Sequence, residues 1–229
     1  MLRQYIYKLN SVVAWMRRHR RISPRGTPIK VNFGSALAVT EGWINVDGSP
    51  HVLFASMPKL ILRLVYRASD ARNWCGTEDQ YIGQLKKHRF VHHNLEHGFP
   101  FPDASVDYLY SSHVLEHFYR DRAEQILRDA YRVLKPGSRL RICVPDLHRA
   151  FALYAQGSKE EALSYFFVNS RARSLFQHQY LYDYDLLSSL LKEVGFTSVE
   201  RCAYRKGLVP DISALDNRPD ETLYVEAVK

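Results

Sequence analysis

Apolar positions recur along this chain at two periods. Leu2, Tyr5, Ile6, Leu9, Val12, Val13 and Met16 fall three and four residues apart, which gathers them on one face of a helix. After residue 29 short apolar runs alternate with longer helical patterns. Strands are expected at residues 30–34, 43–47, 90–95, 106–111, 139–144, 198–204 and 222–228. Helices are expected at 58–68, 116–134, 148–155, 159–168 and 183–194, with loop and a short helix over 69–89. Lys135-Pro136-Gly137 ends the 116–134 helix, since proline and glycine cannot continue it, and Gly195 caps the 183–194 helix. Strands that alternate with helices predict an α/β fold with a doubly wound, mostly parallel sheet.

Composition places these elements in one domain of ordinary globular character. The chain has 229 residues, 46% hydrophobic and 24% charged. It has no apolar run long enough to span a bilayer and no secretory pattern at its start. Cys75, Cys143 and Cys202 are odd in number and form no C-x-x-C pair, which points to a reducing, cytoplasmic setting without structural zinc.

Charge divides the chain in two. The net charge is +8, and residues 1–30 carry Arg3, Lys8, Arg17, Arg18, Arg20, Arg21, Arg25 and Lys30 without an acid. That leaves 24 of the 32 basic residues against all 24 acidic ones, a neutral remainder. Residues 1–28 therefore read as a basic amphipathic arm and linker, and 29–229 as the main domain. Residues 1–21 can lie on an anionic membrane face, pack on a protein partner, or dock on their own domain. A neutral remainder disfavours nucleic acid.

Candidate chemistry begins at VNFGSALAVTEGWINVD, an apolar strand meeting Gly34 and a second strand ending in Asp47. Only a short link joins them. Further on come FPFPDASVDYLYSSHVLEHF and LRDAYRVLKPGSRLRICVPD. Together with GFTSVERCAYR and DETLYVEAVK, these segments resemble the class I S-adenosylmethionine-dependent methyltransferases, in particular a small group whose first motif ends in G-W-I-N-V-D. The likeness covers residues 29–229. It implies a Rossmann-like, seven-stranded sheet with a C-terminal antiparallel hairpin, and S-adenosylmethionine as cofactor.

The resemblance assigns the cofactor to Phe33, Gly34, Ser35, Asp47, Asn94, Leu95, Ser111 and Ser112. Gly34 and Ser35 lie where backbone approaches the methionine part; Asp47 takes both ribose hydroxyls, as a carboxylate can. Asn94 stands where the family has an acid facing the adenine amino group. Ala36 replaces the second glycine of the family's G-x-G loop and is accommodated if its φ stays negative. The short link before Asp47 is usual in this group. These two departures motivate an alternative, a non-catalytic scaffold acting through the arm.

Methyl transfer to a hydroxyl needs a base. His113, beside the expected methyl position, is the first candidate, with Glu116 and His117 as partners. Asp146, His148, His178 and Tyr180 are placed around the same mouth. His113-Val-Leu-Glu116-His117 also matches the H-x-x-E-H pattern of inverted zinc peptidases. The strand running into His113 spoils the required helical spacing of the two histidines, so no metal is expected. The acceptor expected is a small molecule or glycan, in particular a sugar hydroxyl on a polysaccharide or its lipid-linked precursor at the inner membrane face.

Overall fold

The computed structural model describes residues 2–69, 71, 75–167 and 177–229. The Leu2 side chain and Val168, both within expected helices, lie outside what is described. Helix α1 (Leu2–Met16) precedes strands β1 (Lys30–Phe33) and β2 (Ile44–Asp47). Helices α2 (Pro50–Phe54), α3 (Lys59–Ala68) and α4 (Glu78–Lys87) lead to β3 (Arg89–His92) and β4 (Val106–Ser112). Then follow α5 (Arg120–Val133), β5 (Leu134–Pro145), α6 (Leu147–Ala155), α7 (Lys159–Ser164) and α8 (Tyr184–Val194). Strand β6 (Ser198–Cys202), helix α9 (Ile212–Leu215) and β7 (Thr222–Val228) complete the order.

The seven strands form one sheet in the order β3-β2-β1-β4-β5-β7-β6. Strands β1 to β5 pair in parallel, and β7 runs antiparallel to both β5 and β6. This is the expected doubly wound sheet with its antiparallel hairpin. Chain order reverses between β1 and β4, so the crevice at their carboxyl ends is where such a sheet takes a ligand. Val31, Phe33, Val46, Leu109, Leu140 and Val225 are buried in a core that α5 and α8 cover with Leu127, Val133, Leu187 and Leu191. Asp183 caps α8 by accepting from the Leu186 N–H, and Gly195 closes it as expected.

Several boundaries differ from the sequence expectation for physical reasons. The 116–134 pattern splits: Leu115–His117 is a single 3-10 turn, Phe118 is extended, and α5 starts at Arg120. The Glu116 carbonyl, which a continuous helix would bond to residue 120, instead accepts from the Gln179 and Tyr180 N–H groups. Helix α5 ends at Val133 before the Lys-Pro-Gly turn. Leu134 is already extended and pairs with Val106, and the register jumps to Tyr108–Arg139, so Lys135-Pro136-Gly137 bulges inside β5. Strand β3 stops at His92, because Asn94 caps a second 3-10 turn (Leu95–His97). Helix α4 is a full ten residues, nucleated by a capping box between Thr77 and Gln80.

Helix α1 docks on the domain through its inner face. Asn10 bridges the Gly48 carbonyl and His92 Nε2, at 2.9 Å each, and Ala14 is buried. Arg21 donates to the Phe99 carbonyl and Ile22 N–H to Pro100. The expected apolar face is divided: Ile6 and Val13 turn inward, while Tyr5, Leu9, Val12 and Met16, joined by Trp15, stay 49–69% exposed. Among the described residues no helix is long and apolar enough to cross a membrane.

Candidate active site

Gly34 opens the loop after β1 with φ 65°, and a side chain there would lie 2.3 Å from Val114 Cγ2. Glycine is thus required both by the backbone turn and by the segment following β4, which closes over the loop. Ser35 is buried, and Ala36 has φ 42° rather than the negative value expected for it. Asp47 holds that turn: Oδ2 accepts from the Ala36 N–H at 2.8 Å, and Oδ1 from the Ser49 N–H at 2.7 Å. Each oxygen retains acceptor capacity for a further donor.

The other expected cofactor residues have distinct placements. The Phe33 side chain lies in the core, edge-on to Phe99 at 5.1 Å, and Leu95 is buried in the same core. Asn94 uses Oδ1 to accept from the Glu96 N–H and Nδ2 to donate to the Glu96 carboxylate. Ser111 and Ser112 end β4, Ser111 buried.

The buried hydroxyls of Ser35, Ser49 and Ser111 have no hydrogen-bond partner. Orphaned hydroxyls on the loops after β1, β2 and β4 fit a polar ligand lying across the carboxyl ends of those strands. An open cleft of about 300 Å³ lined by Arg25, Lys30, Trp43, Lys87 and Arg89 lies at the opposite, amino ends of the strands, away from this crevice.

Beyond β4 the chain assembles a histidine–carboxylate cluster. His113 has φ 55°, a strained position for a non-glycine residue at a strand's end. Its Nε2 meets Thr222 Oγ1 at 2.8 Å, and its Nδ1 lies 3.4 Å from Arg218 Nη1 and 3.5 Å from Glu116 Oε1. Glu116 is fully buried, and neither carboxylate oxygen has a hydrogen-bond partner. Burial pushes its carboxyl upward, but His113 and His117 outweigh that and hold it below the ordinary value.

His117 lies with Nε2 4.0 Å from Glu116 Oε1 and Nδ1 3.4 Å from the Gln177 carbonyl. Burial lowers its imidazole, partly offset by Glu116. The His178 ring stacks at 5.1 Å, and its Nδ1 faces the Tyr165 carbonyl.

So His113, Glu116, His117 and His178 come together. Asp146 does not face them freely: it caps α6 at the His148 N–H and pairs with Arg201 at 3.0 Å. His148 itself is exposed. Sequence reasoning did not find Val114, Thr222, Arg218 or Gln177. Thr222, Arg218 and Gln177 reach the site from distant segments, and nothing local marks them.

A doubly wound sheet of this order, with an acid at the end of β2 and orphaned hydroxyls around its switch point, suits a polar cofactor such as a nucleotide. The family model for a methyltransferase domain matches residues 66–142. The ubiquinone/menaquinone biosynthesis C-methyltransferase UbiE of Citrobacter koseri is 31% identical over 142 residues, covering 56% of this chain and 53% of that protein. The chain thus spans about half the length of that curated relative. Among solved structures, a possible exported protein from Bordetella parapertussis superposes with TM-score 0.51 at 16% identity, over 99% of this chain and 67% of that one. A methyltransferase from Thermotoga maritima gives 0.49 at 15% identity, over 98% and 97%. Residues 66–142 thus carry the pattern of a methyltransferase domain, and part of the chain is similar to a C-methyltransferase.

Proposed function

We propose that the protein methylates a hydroxyl on a sugar of a glycan or lipid-linked glycan at the cytoplasmic face of an anionic membrane. Residues 1–28 act as the docking arm and 29–229 as the catalytic domain. The observation that carries this reading is the outer face of α1. Tyr5, Leu9, Val12, Trp15 and Met16 are exposed on a helix followed directly by Arg17, Arg18, Arg20 and Arg21. An apolar stripe beside basic residues suits insertion at an anionic interface. Asn10 fixes this helix to Gly48, on the loop after β2, which sets α1 at the same end of the sheet as the crevice.

Bound S-adenosylmethionine supplies an electrophilic sulfonium methyl group. The loops at Gly34–Ala36, Asp47–Ser49, Asn94 and Ser111–Ser112 would hold it, and positioning carries most of the rate. Held there, it would present its methyl group to the acceptor oxygen. His113, beside Glu116 and His117, would take the proton of the acceptor hydroxyl. A mouth built of imidazoles and a carboxylate favours a polar acceptor.

The likeness to a quinone C-methyltransferase favours a second reading, a ring carbon of a membrane-dissolved acceptor. Radiolabelled methyl transfer into lipid extracts separates the two: label in a glycan fraction supports the first, and label in a prenylated ring the second. Calorimetric titration with S-adenosylmethionine comes first. Absence of binding would overturn both readings and leave a non-catalytic scaffold acting through its arm.

A further inference from the structure

We propose that Glu116, His117 and His178 hold a divalent transition-metal ion of the zinc type at the mouth of the site. One ligand atom from each lies within 4.8 Å of the other two. Zinc binds imidazole and carboxylate at about 2.0–2.2 Å, so the three atoms need to close by roughly an ångström around an ion.

Two independent features point the same way. The first is the carboxylate. Glu116 is 0% exposed, and neither oxygen has a hydrogen-bond donor. The nearest nitrogens are His113 Nδ1 at 3.5 Å and His117 Nε2 at 4.0 Å, both too long or at the limit for a bond. A bare carboxylate in the interior calls for a cation.

The second feature is the histidine orientation. His117 turns Nδ1 to the Gln177 carbonyl, and His178 turns Nδ1 to the Tyr165 carbonyl. Each ring then carries its proton on Nδ1 and keeps the Nε2 lone pair for a ligand. Backbone carbonyls fix metal-binding histidines in this way. The strand that runs into His113 spoils zinc geometry only for a pair made by His113 and His117. His113 is engaged with Thr222 and is not among these three ligands.

Two imidazoles and one carboxylate leave a coordination position open. An acceptor hydroxyl bound there would lose its proton to His113 more readily, which prepares the oxygen for methylation. That catalytic role rests on the oxygen-acceptor reading; the binding site itself does not.

The test uses tag-free full-length protein, stripped with chelator and titrated with zinc chloride by calorimetry without S-adenosylmethionine. One ion per chain is expected. His178→Ala should weaken it by more than about 100-fold, beyond the loss usual for an outer-shell partner, with an unchanged circular-dichroism spectrum. Glu116→Gln should act likewise. Cobalt(II) in place of zinc should give visible absorption typical of low coordination, lost in the same variants. No uptake at millimolar zinc, or uptake undiminished in His178→Ala, overturns the site. S-adenosylmethionine binding is titrated on the same samples. Its absence beside His178-dependent zinc binding would sink the methyltransferase activity and leave the metal site standing.

Discussion

Asp47 accepts a hydrogen bond from the Ala36 N–H through Oδ2, at 2.8 Å. The acid that ends β2 therefore holds the loop after β1 in shape before any cofactor arrives. Its other oxygen takes the Ser49 N–H at 2.7 Å. Asp47→Ala should then do two things. It should abolish micromolar binding of S-adenosylmethionine, and it should cost on the order of 1 kcal/mol of stability by removing two partly buried hydrogen bonds. Urea titration beside calorimetry checks this. Lost ligand binding at unchanged stability would show that the loop does not depend on Asp47.

Ala36 sits at φ 42°, where an L-residue is strained by roughly 1–2 kcal/mol. Ala36→Gly removes that strain, but it adds chain entropy to the unfolded state. The net gain expected is under about 1 kcal/mol. Restoring the glycine should also tighten cofactor binding by easing approach to the backbone. A drop in melting temperature together with weaker binding would contradict both.

Much of the fold was legible from periodicity alone. Seven strands were expected and seven form the sheet, because apolar runs bounded by turns leave few alternatives. The errors fell where a distant segment overrides local preference. Glu116 continues a helical pattern in sequence, yet Gln179 and Tyr180 capture its carbonyl and confine it to one turn. That capture also sets Glu116 and His117 beside His178. The site was only half legible for the same reason: His113 was visible next to a strand, but its partners Thr222 and Arg218 lie more than a hundred residues away. Asp47 was legible as a ribose acceptor, but its bond from the Ala36 N–H, eleven residues back, leaves no mark in sequence.

His93 gives a pH dependence with a defined sign. It is fully buried and its ring nitrogens have no hydrogen-bond partner; burial pushes the imidazole from 6.5 down to about 4, with a small opposing effect from the Gly98 backbone. The unfolded chain binds this proton more readily than the folded one. Stability from this group is thus fully present above the unfolded value and is lost as pH falls from about 6.5 to about 4, to the extent of about 3 kcal/mol. Urea midpoints measured across that range should fall with acidity. His93→Phe should flatten the slope, and an unchanged slope would mean that His93 is charged or solvated in the fold.

Arg141 closes the far side of the sheet. Fully buried on β5, it donates from Nη2 and Nε to Asp216 at 2.6 and 3.1 Å, and from Nη1 to Glu226 at 3.0 Å. Its remaining bonds go to the Ala203 and Lys206 carbonyls, so the guanidinium pins residues 203–216 against β5 and β7. Arg141→Met leaves two buried carboxylates without their cation, and should cost about 3–5 kcal/mol. Gly207 tests the same network without altering a charge. An added Cβ there would lie 2.1 Å from Glu226 Oε1 and 2.7 Å from Arg141 Nη1, on a backbone with φ 158°. Gly207→Ala should therefore destabilise in the same direction, and in combination with Arg141→Met the two losses should fall short of their sum, since both break one network. Additive losses in a double-mutant cycle would show that Gly207 and the ion cluster act separately.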